Sequence, residues 1–143
     1  KDVHLLNMQN GLADNTVSAV YKDKEGFVWF GTRNGLSRYD GRQITNFEQS
    51  NSYPSISNLK EVFDGVLAFV DNGVFSAFDL KKERFLSVVS SSGQGIPSRG
   101  MLQRNDSLVW VISGSELHLM KRCASKEGEL RLRVQEKYTG WNN

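Results

Sequence analysis

The apolar positions of the chain come in short bursts. Phe27-Val28-Trp29-Phe30, Val66-Leu67-Ala68-Phe69-Val70 and Leu108-Val109-Trp110-Val111-Ile112 are rich in aromatic and β-branched residues. They are too short for helices and carry the continuous apolar pattern of strands buried on both faces. A turn signal follows each one: Asn34-Gly35, Asp71-Asn72-Gly73 and Gly114-Ser115. Asn34-Gly35 predicts a two-residue hairpin, because both residues accept positive φ and so match the twist of the flanking strands. Asp40-Gly41 predicts a second turn of the same chemistry. No stretch shows a helical period. The pattern predicts an all-β chain.

The bursts also recur at a fixed spacing. Trp29, Ala68 and Trp110 lie 39 and 42 residues apart, and Leu36, Val74 and Leu117 lie 38 and 43 apart. Around each, four short strands are predicted. The first set is 16–21, 27–32, 36–39 and 43–48; the second is 59–63, 66–70, 74–78 and 84–89; the third is 101–104, 108–112, 117–121 and 130–137. The linkers ahead of the repeats correspond too, Gly11-Leu12-Ala13-Asp14-Asn15 with Gly95-Ile96-Pro97-Ser98-Arg99. A period near forty residues with four antiparallel strands per period is the signature of propeller blades. The expected architecture is three four-stranded antiparallel blades of a β-propeller, a partial ring, at 16–48, 58–90 and 100–138. Isolated blade faces and strand edges invite further pairing, which predicts self-association.

Composition narrows the function classes. The 143 residues suffice for one ordinary domain, with 38% hydrophobic and 24% charged residues, which fits a folded chain. A net charge of +2, with Lys and Arg scattered among Asp and Glu, predicts no nucleic-acid partner. The single cysteine, Cys123, excludes an internal disulfide and a cysteine-based metal site. No apolar run approaches the roughly 18 residues needed to span a membrane, and no signal peptide precedes Lys1, so the chain is expected to be soluble as given.

Candidate chemistry is sparse. Trp29 and Trp110 share a repeat position, and packing between blades is expected of them rather than ligand stacking. Phe27, Phe30, Phe63, Phe69 and Phe78 read as core in the same way. The two histidines, His4 and His118, fall in different parts of the chain with no ligand at metal spacing, so no metal and no cofactor are expected. No Gly-X-Ser-X-Gly turn occurs, and Ser113-Gly114-Ser115 implies no oxyanion hole. Asp23 with Glu25, and Glu127 with Glu129, fall in turns rather than facing each other across a cleft as glycoside hydrolysis requires. Gly93-Gln94-Gly95 and the Gly31–Gly35 stretch open no helix and lack a P-loop lysine, so they read as turns. Cys123 follows Lys121-Arg122, and reads as an ordinary thiol near a loop. Arg131 to Gln135 alternates basic and apolar residues, as in an edge strand with one solvated face. The chain is predicted to be non-catalytic.

Topology supplies the best binding candidates. In a four-stranded blade, the loops joining second to third strands and those joining successive blades emerge together at one end. Loops held by a rigid sheet are favoured for binding. That end would display Asp14, Asn15, Arg33, Asn34, Asp71, Asn72, Ser98 and Arg99, a mixture suited to hydroxyl-rich or uronic ligands.

Asn10 to Val17, then Asp23 to Thr32, then Asn34 to Gly41 closely resemble the two-component regulator propeller repeat of hybrid histidine-kinase sensors of Bacteroides-type bacteria. The resemblance is nearly residue for residue in the first repeat and weaker beyond Phe47, with Ala68 at the second tryptophan position and no Asn-Gly turn in the third repeat. It implies an N-terminal piece of a periplasmic sensor ectodomain, three blades of a seven-bladed ring. Val3 to Leu6 would be the strand that closes the ring. It also implies a parent anchored in the inner membrane that continues into a kinase, recognises polysaccharide-derived oligosaccharides and controls glycan-utilisation genes. The implied partners are an oligosaccharide and the remaining blades. Alternatives are a protein-interaction propeller scaffold and, after it, a propeller glycosidase or lyase.

Overall fold

The computed structural model describes residues 7–49 and 54–140. The suggested ring-closing strand at residues 3–6, and His4 within it, lie outside the described residues. After a single 3-10 turn at Met8–Asn10 come twelve strands among the described residues. They are β1 (Val17–Lys22), β2 (Val28–Thr32), β3 (Gly35–Tyr39), β4 (Ile44–Glu48), β5 (Ile56–Phe63), β6 (Val66–Asp71), β7 (Val74–Asp79), β8 (Arg84–Ser90), β9 (Gly100–Gln103), β10 (Leu108–Ser113), β11 (Glu116–Cys123) and β12 (Glu129–Tyr138). The chain is all-β, in three sets of four strands. Trp29 pairs with Arg38, Ala68 with Ala77, and Trp110 with Leu119, so the hairpin register is the same at all three repeat positions.

The chain divides into two compact bodies, Lys1–Leu59 and Lys60–Asn143. The first holds the sheet β1-β2-β3-β4. Trp29 and Leu36 are buried at its centre, and the Trp29 ring stacks on Phe47 at 5.7 Å between centroids. The Arg38 guanidinium lies 5.2 to 5.6 Å from the rings of Phe27, Trp29 and Phe47, within cation–π range of all three. Gly31 is there because Ile56 is close. A Cβ on Gly31 would stand 2.6 Å from the Ile56 side chain.

Two turn expectations need correction here. Thr32 pairs with Gly35, so the two loop residues are Arg33 and Asn34 rather than Asn34 and Gly35. Both keep negative φ, and only Gly35 is positive, at 114°. The Thr32 hydroxyl holds the loop by donating to the Gly35 carbonyl and accepting from the Asn34 amide. The expected double positive-φ turn occurs instead in the next repeat, at Asn72 (51°) and Gly73 (81°). Asp40-Gly41 forms part of a longer loop between Tyr39 and Ile44, in which the Asp40 carboxylate accepts the amides of Arg42 and Gln43 at 2.8 Å.

In the second body two four-strand sets join into one eight-stranded sheet, β5-β6-β7-β8-β12-β11-β10-β9. The join is a parallel pairing of β8 with β12, Glu129 to Leu132 opposite Ser87 to Ser90. β12 therefore begins as an interior strand, with Leu130 and Leu132 fully buried, and becomes an exposed edge only beyond them. This corrects the reading of 131–135 as an edge strand throughout. The two arms of the sheet close on one apolar cluster, with Val62, Phe63, Ala68 and Phe75 from one arm and Val109, Val111, Met120 and Leu132 from the other. Val109 and Val111 take the inner face of β10, so alternation turns Trp110 to the outer face, where it is half-buried beside Tyr138. Trp29 is core as expected; Trp110 is not.

Candidate functional site

In the second body the β6–β7 turn and the linker ahead of β9 are brought together by backbone hydrogen bonds. Ser98 N donates to Gly73 O at 2.8 Å and Phe75 N to Ile96 O at 2.8 Å, and Val74 and Pro97 form an antiparallel bridge. Asp71, Asn72, Ser98 and Arg99 are thus neighbours along one rim. Their roles differ. Asp71 and Ser98 are buried, and the Ser98 hydroxyl is used internally, donating to Gly100 O and accepting from Gly100 N. Asn72 and Arg99 are exposed, while the Arg99 amide is fixed to Ile112 O at 2.7 Å. The backbone positions this rim, and Asn72 and Arg99 present it.

In the first body Asp14 and Asn15 serve their own loop. Asp14 Oδ1 accepts the Thr16 amide at 2.8 Å, and Asn15 Oδ1 accepts the Met8 amide at 2.7 Å. Arg33 and Asn34 stand exposed on the β2–β3 turn. Their side chains are free to meet a ligand, whereas those of Asp14 and Asn15 are held in turn geometry.

A concavity lies elsewhere. The β5–β6, β7–β8 and β11–β12 loops of the second body emerge at the end opposite the β6–β7 turn, and they enclose a polar cleft of about 350 Å³. Its walls include Asp64, Asp79, Lys81, Arg84, Arg122, Lys126, Glu127 and Glu129. The Glu127 carboxylate is held by Lys82 at 2.5 Å and Arg84 at 3.2 Å, and the hydrogen bond from Lys82 chiefly keeps its pKa below the usual carboxylate value. Glu129 is gripped by both Arg131 Nε (3.1 Å) and a terminal Arg131 nitrogen (3.3 Å), which likewise lowers it. Asp79 Oδ1 accepts the amides of Lys81 and Lys82. Cys123 lines this cleft as a half-buried free thiol. Sequence reasoning missed the cleft. Its walls come from two repeats, and their approach depends on the β8–β12 pairing, which leaves no local signal.

His118 lies outside both places. It shares a 2.9 Å hydrogen bond with Glu116 and is half-buried on β11. Among the described residues no group of three or more His, Cys, Asp or Glu is placed to hold a metal ion.

Residues 11–34 match the family described as two component regulator propeller. No curated protein matches the sequence. Among solved structures, the fold is similar to the extracellular domain of BT3049 from B. thetaiotaomicron, described as a hybrid two component system, with a TM-score of 0.62 and 18% identity over 90% of this chain and 17% of that one. It is similar to the extracellular domain of BT4673 from the same organism, described as a one component system, with a TM-score of 0.66 and 16% identity over 93% of this chain and 21% of that one. Hsv2 from Kluyvelomyces marxianus is a further match, with a TM-score of 0.58 and 13% identity over 89% of this chain and 48% of that one. The chain spans less than half the length of each. At such identities the likeness establishes fold, and Hsv2 illustrates that one fold serves differently named proteins. Residues 11–34 are thus similar to a two component regulator propeller repeat, and the fold is that of β-propeller blades.

Proposed function

We propose that the chain is a non-catalytic, ligand-sensing part of the extracytoplasmic region of a two-component sensor kinase, and that it recognises oligosaccharides. The observation that carries this reading is the regulator propeller match at residues 11–34, joined to a fold shared with two extracellular domains of B. thetaiotaomicron. Arg33 and Asn34 on the β2–β3 turn, and Asn72 and Arg99 on the rim of the second body, are the proposed contacts. Amide and guanidinium donors suit hydroxyl-rich ligands, and their backbones are fixed before any ligand arrives. A periplasmic location and control of glycan-utilisation genes follow from the same reading. Signalling then requires that the ligand favour one arrangement of the parent over another, since equal affinity for both shifts nothing.

Protein partners belong to the same proposal. β1 and β9 each end a sheet, and each carries an exposed apolar residue, Val20 at 64% and Leu102 at 57%. Such edges are covered by further blades or by a second copy. A monodisperse monomer in solution scattering would overturn self-association.

The direct experiment is a glycan array on the complete ectodomain, with turnover measured in parallel. Binding without turnover, reduced by Arg33→Ala and Arg99→Ala, is the expected result. Cleavage of a glycan would move the chain to the enzyme class. Binding of polypeptides with no glycan response would favour the scaffold reading.

A further inference from the structure

We propose that the cleft between the β5–β6, β7–β8 and β11–β12 loops of the second body is a binding site for a small oxyanion. This site is distinct from the rim at Asn72 and Arg99, and it stands whether or not the chain senses oligosaccharides.

The argument starts from which charges are already engaged. Four carboxylates line the cleft, and each is already engaged through at least one oxygen. Asp79 accepts two backbone amides, Glu127 is shared by Lys82 and Arg84, Glu129 is held by Arg131, and Asp64 is engaged as well. The cations are in the opposite condition. Among the described residues, neither the Lys81 nor the Lys126 ammonium forms a direct ion pair, although Lys126 is near enough to help lower the pKa of Glu129, and the Arg122 guanidinium lies over the Phe63 ring at 5.6 Å. Arg84 is only partly satisfied. One terminal nitrogen meets Glu127, while its Nε is buried without an acceptor. Two turns of the main chain complete the wall at Gly65, against the Lys81 stem, and at Gly128, against the Arg84 guanidinium.

The concavity therefore offers donors in excess of acceptors. An ammonium presents three donors and no acceptor, so a ligand that satisfies Lys81 and Lys126 must bring oxygen acceptors of its own. Charge-assisted bonds from such donors are roughly twice as strong as neutral ones. The volume of about 350 Å³ sits at the small end of ligand pockets, roughly 300–1,000 Å³. A single acidic group with a small body fits that space. The two sources of this chemistry are an acidic saccharide, through its carboxylate or sulfate ester, and a free inorganic anion.

Titration of the isotope-labelled full chain with sodium sulfate, sodium glucuronate and neutral glucose, followed by amide NMR shifts, tests this at constant ionic strength. The expected result is saturable shifts at Gly65, Ser125 and Gly128 with one or both anions and none with glucose. The double variant Lys81→Gln, Lys126→Gln, whose altered side chains are exposed on loops, should weaken binding about ten-fold or more with the spectrum otherwise intact. Tighter binding of glucuronate than of sulfate identifies an acidic sugar; the reverse identifies sulfate-type anions. Shifts that are absent, that never saturate, that scatter over surface lysines or that persist unchanged in the variant would overturn the site. None of these outcomes depends on Arg33 or Arg99, so failure here and failure of the oligosaccharide reading are separable.

Discussion

The Asp23 carboxylate accepts a 2.8 Å hydrogen bond from the indole N–H of Trp29, six residues along the chain. Its other oxygen accepts the amides of Glu25 and Phe27 at 2.9 and 3.0 Å, so one turn residue ties the β1–β2 loop to the centre of the sheet. At the equivalent position of the third repeat, six residues before Trp110, stands Arg104, whose guanidinium lies 5.7 Å from the Trp110 ring. A buried indole needs a partner for its N–H, whereas a half-buried one can be covered by a cation.

That difference gives the first prediction. Asp23→Ala strands the buried Trp29 N–H and two amides, and should destabilise the chain by roughly 2–4 kcal/mol. Arg104→Ala, at the exposed counterpart, should cost about 1 kcal/mol or less. Urea unfolding of both variants checks the order; equal losses would contradict it.

Gly31 and Gly35 predict two distinct failures. Gly31→Ala presses a methyl into Ile56 and should cost roughly 1–3 kcal/mol, partly recovered by Ile56→Val. Gly35→Ala meets the Phe47 carbonyl oxygen at a φ of 114°, so both neighbour and backbone resist. It should lose more, about 3 kcal/mol or above, with no rescue by side-chain trimming. Denaturation midpoints of the three variants decide.

The parallel seam of the second body rests on Arg131. It reaches across from β12, donating at 3.2 Å to the carbonyls of Ser90 and Ser91 while also holding Glu129. Arg131→Met keeps the aliphatic stem and removes these bonds, and should cost about 1–3 kcal/mol. Amide exchange should quicken at residues 87–90 and 129–132 before the rest of the sheet. Uniform acceleration would argue against a local seam.

Four carboxylates among the described residues set the acid response. Asp40 is held below the usual carboxylate range chiefly by the Gln43 amide, Glu116 by its hydrogen bond with His118, Glu127 by Lys82, and Glu129 by Arg131. A depressed folded-state pKa adds stability above the unfolded value, and that stability is lost as pH falls through the folded value. The unfolding midpoint should hold steady down to about pH 5 and then fall below about pH 4. Glu129→Gln should flatten part of that fall. A midpoint that rose on acidification would contradict the sign.

Most of the fold was legible because each repeat states itself locally. The bursts around Trp29, Ala68 and Trp110 and the turns after them fix strand and period without distant information. What escaped was non-local. Asn34-Gly35 carries the strongest hairpin signal, yet Thr32 closes the loop one residue earlier by bonding Gly35 with its hydroxyl. Trp110 matches Trp29 in sequence, but the facing arm of the sheet takes Val109 and Val111 instead. The β8–β12 seam joins segments some forty residues apart with no turn to announce it, and the polar cleft depends on that seam. Of the eight rim and turn residues foreseen, Asp14, Asn15 and Ser98 are spent on holding loops and Asp71 is buried; Arg33, Asn34, Asn72 and Arg99 remain exposed.

The repeat architecture is tested most directly by cross-strand nuclear Overhauser effects on the labelled chain. Contacts between Trp29 and Arg38, Ala68 and Ala77, and Trp110 and Leu119 should appear together, with the parallel Leu130–Val88 contact joining the last two repeats. Helical contacts in any of the three, or pairing of β1–β4 strands in a different order, would contradict the blade reading and the sensing role built on it.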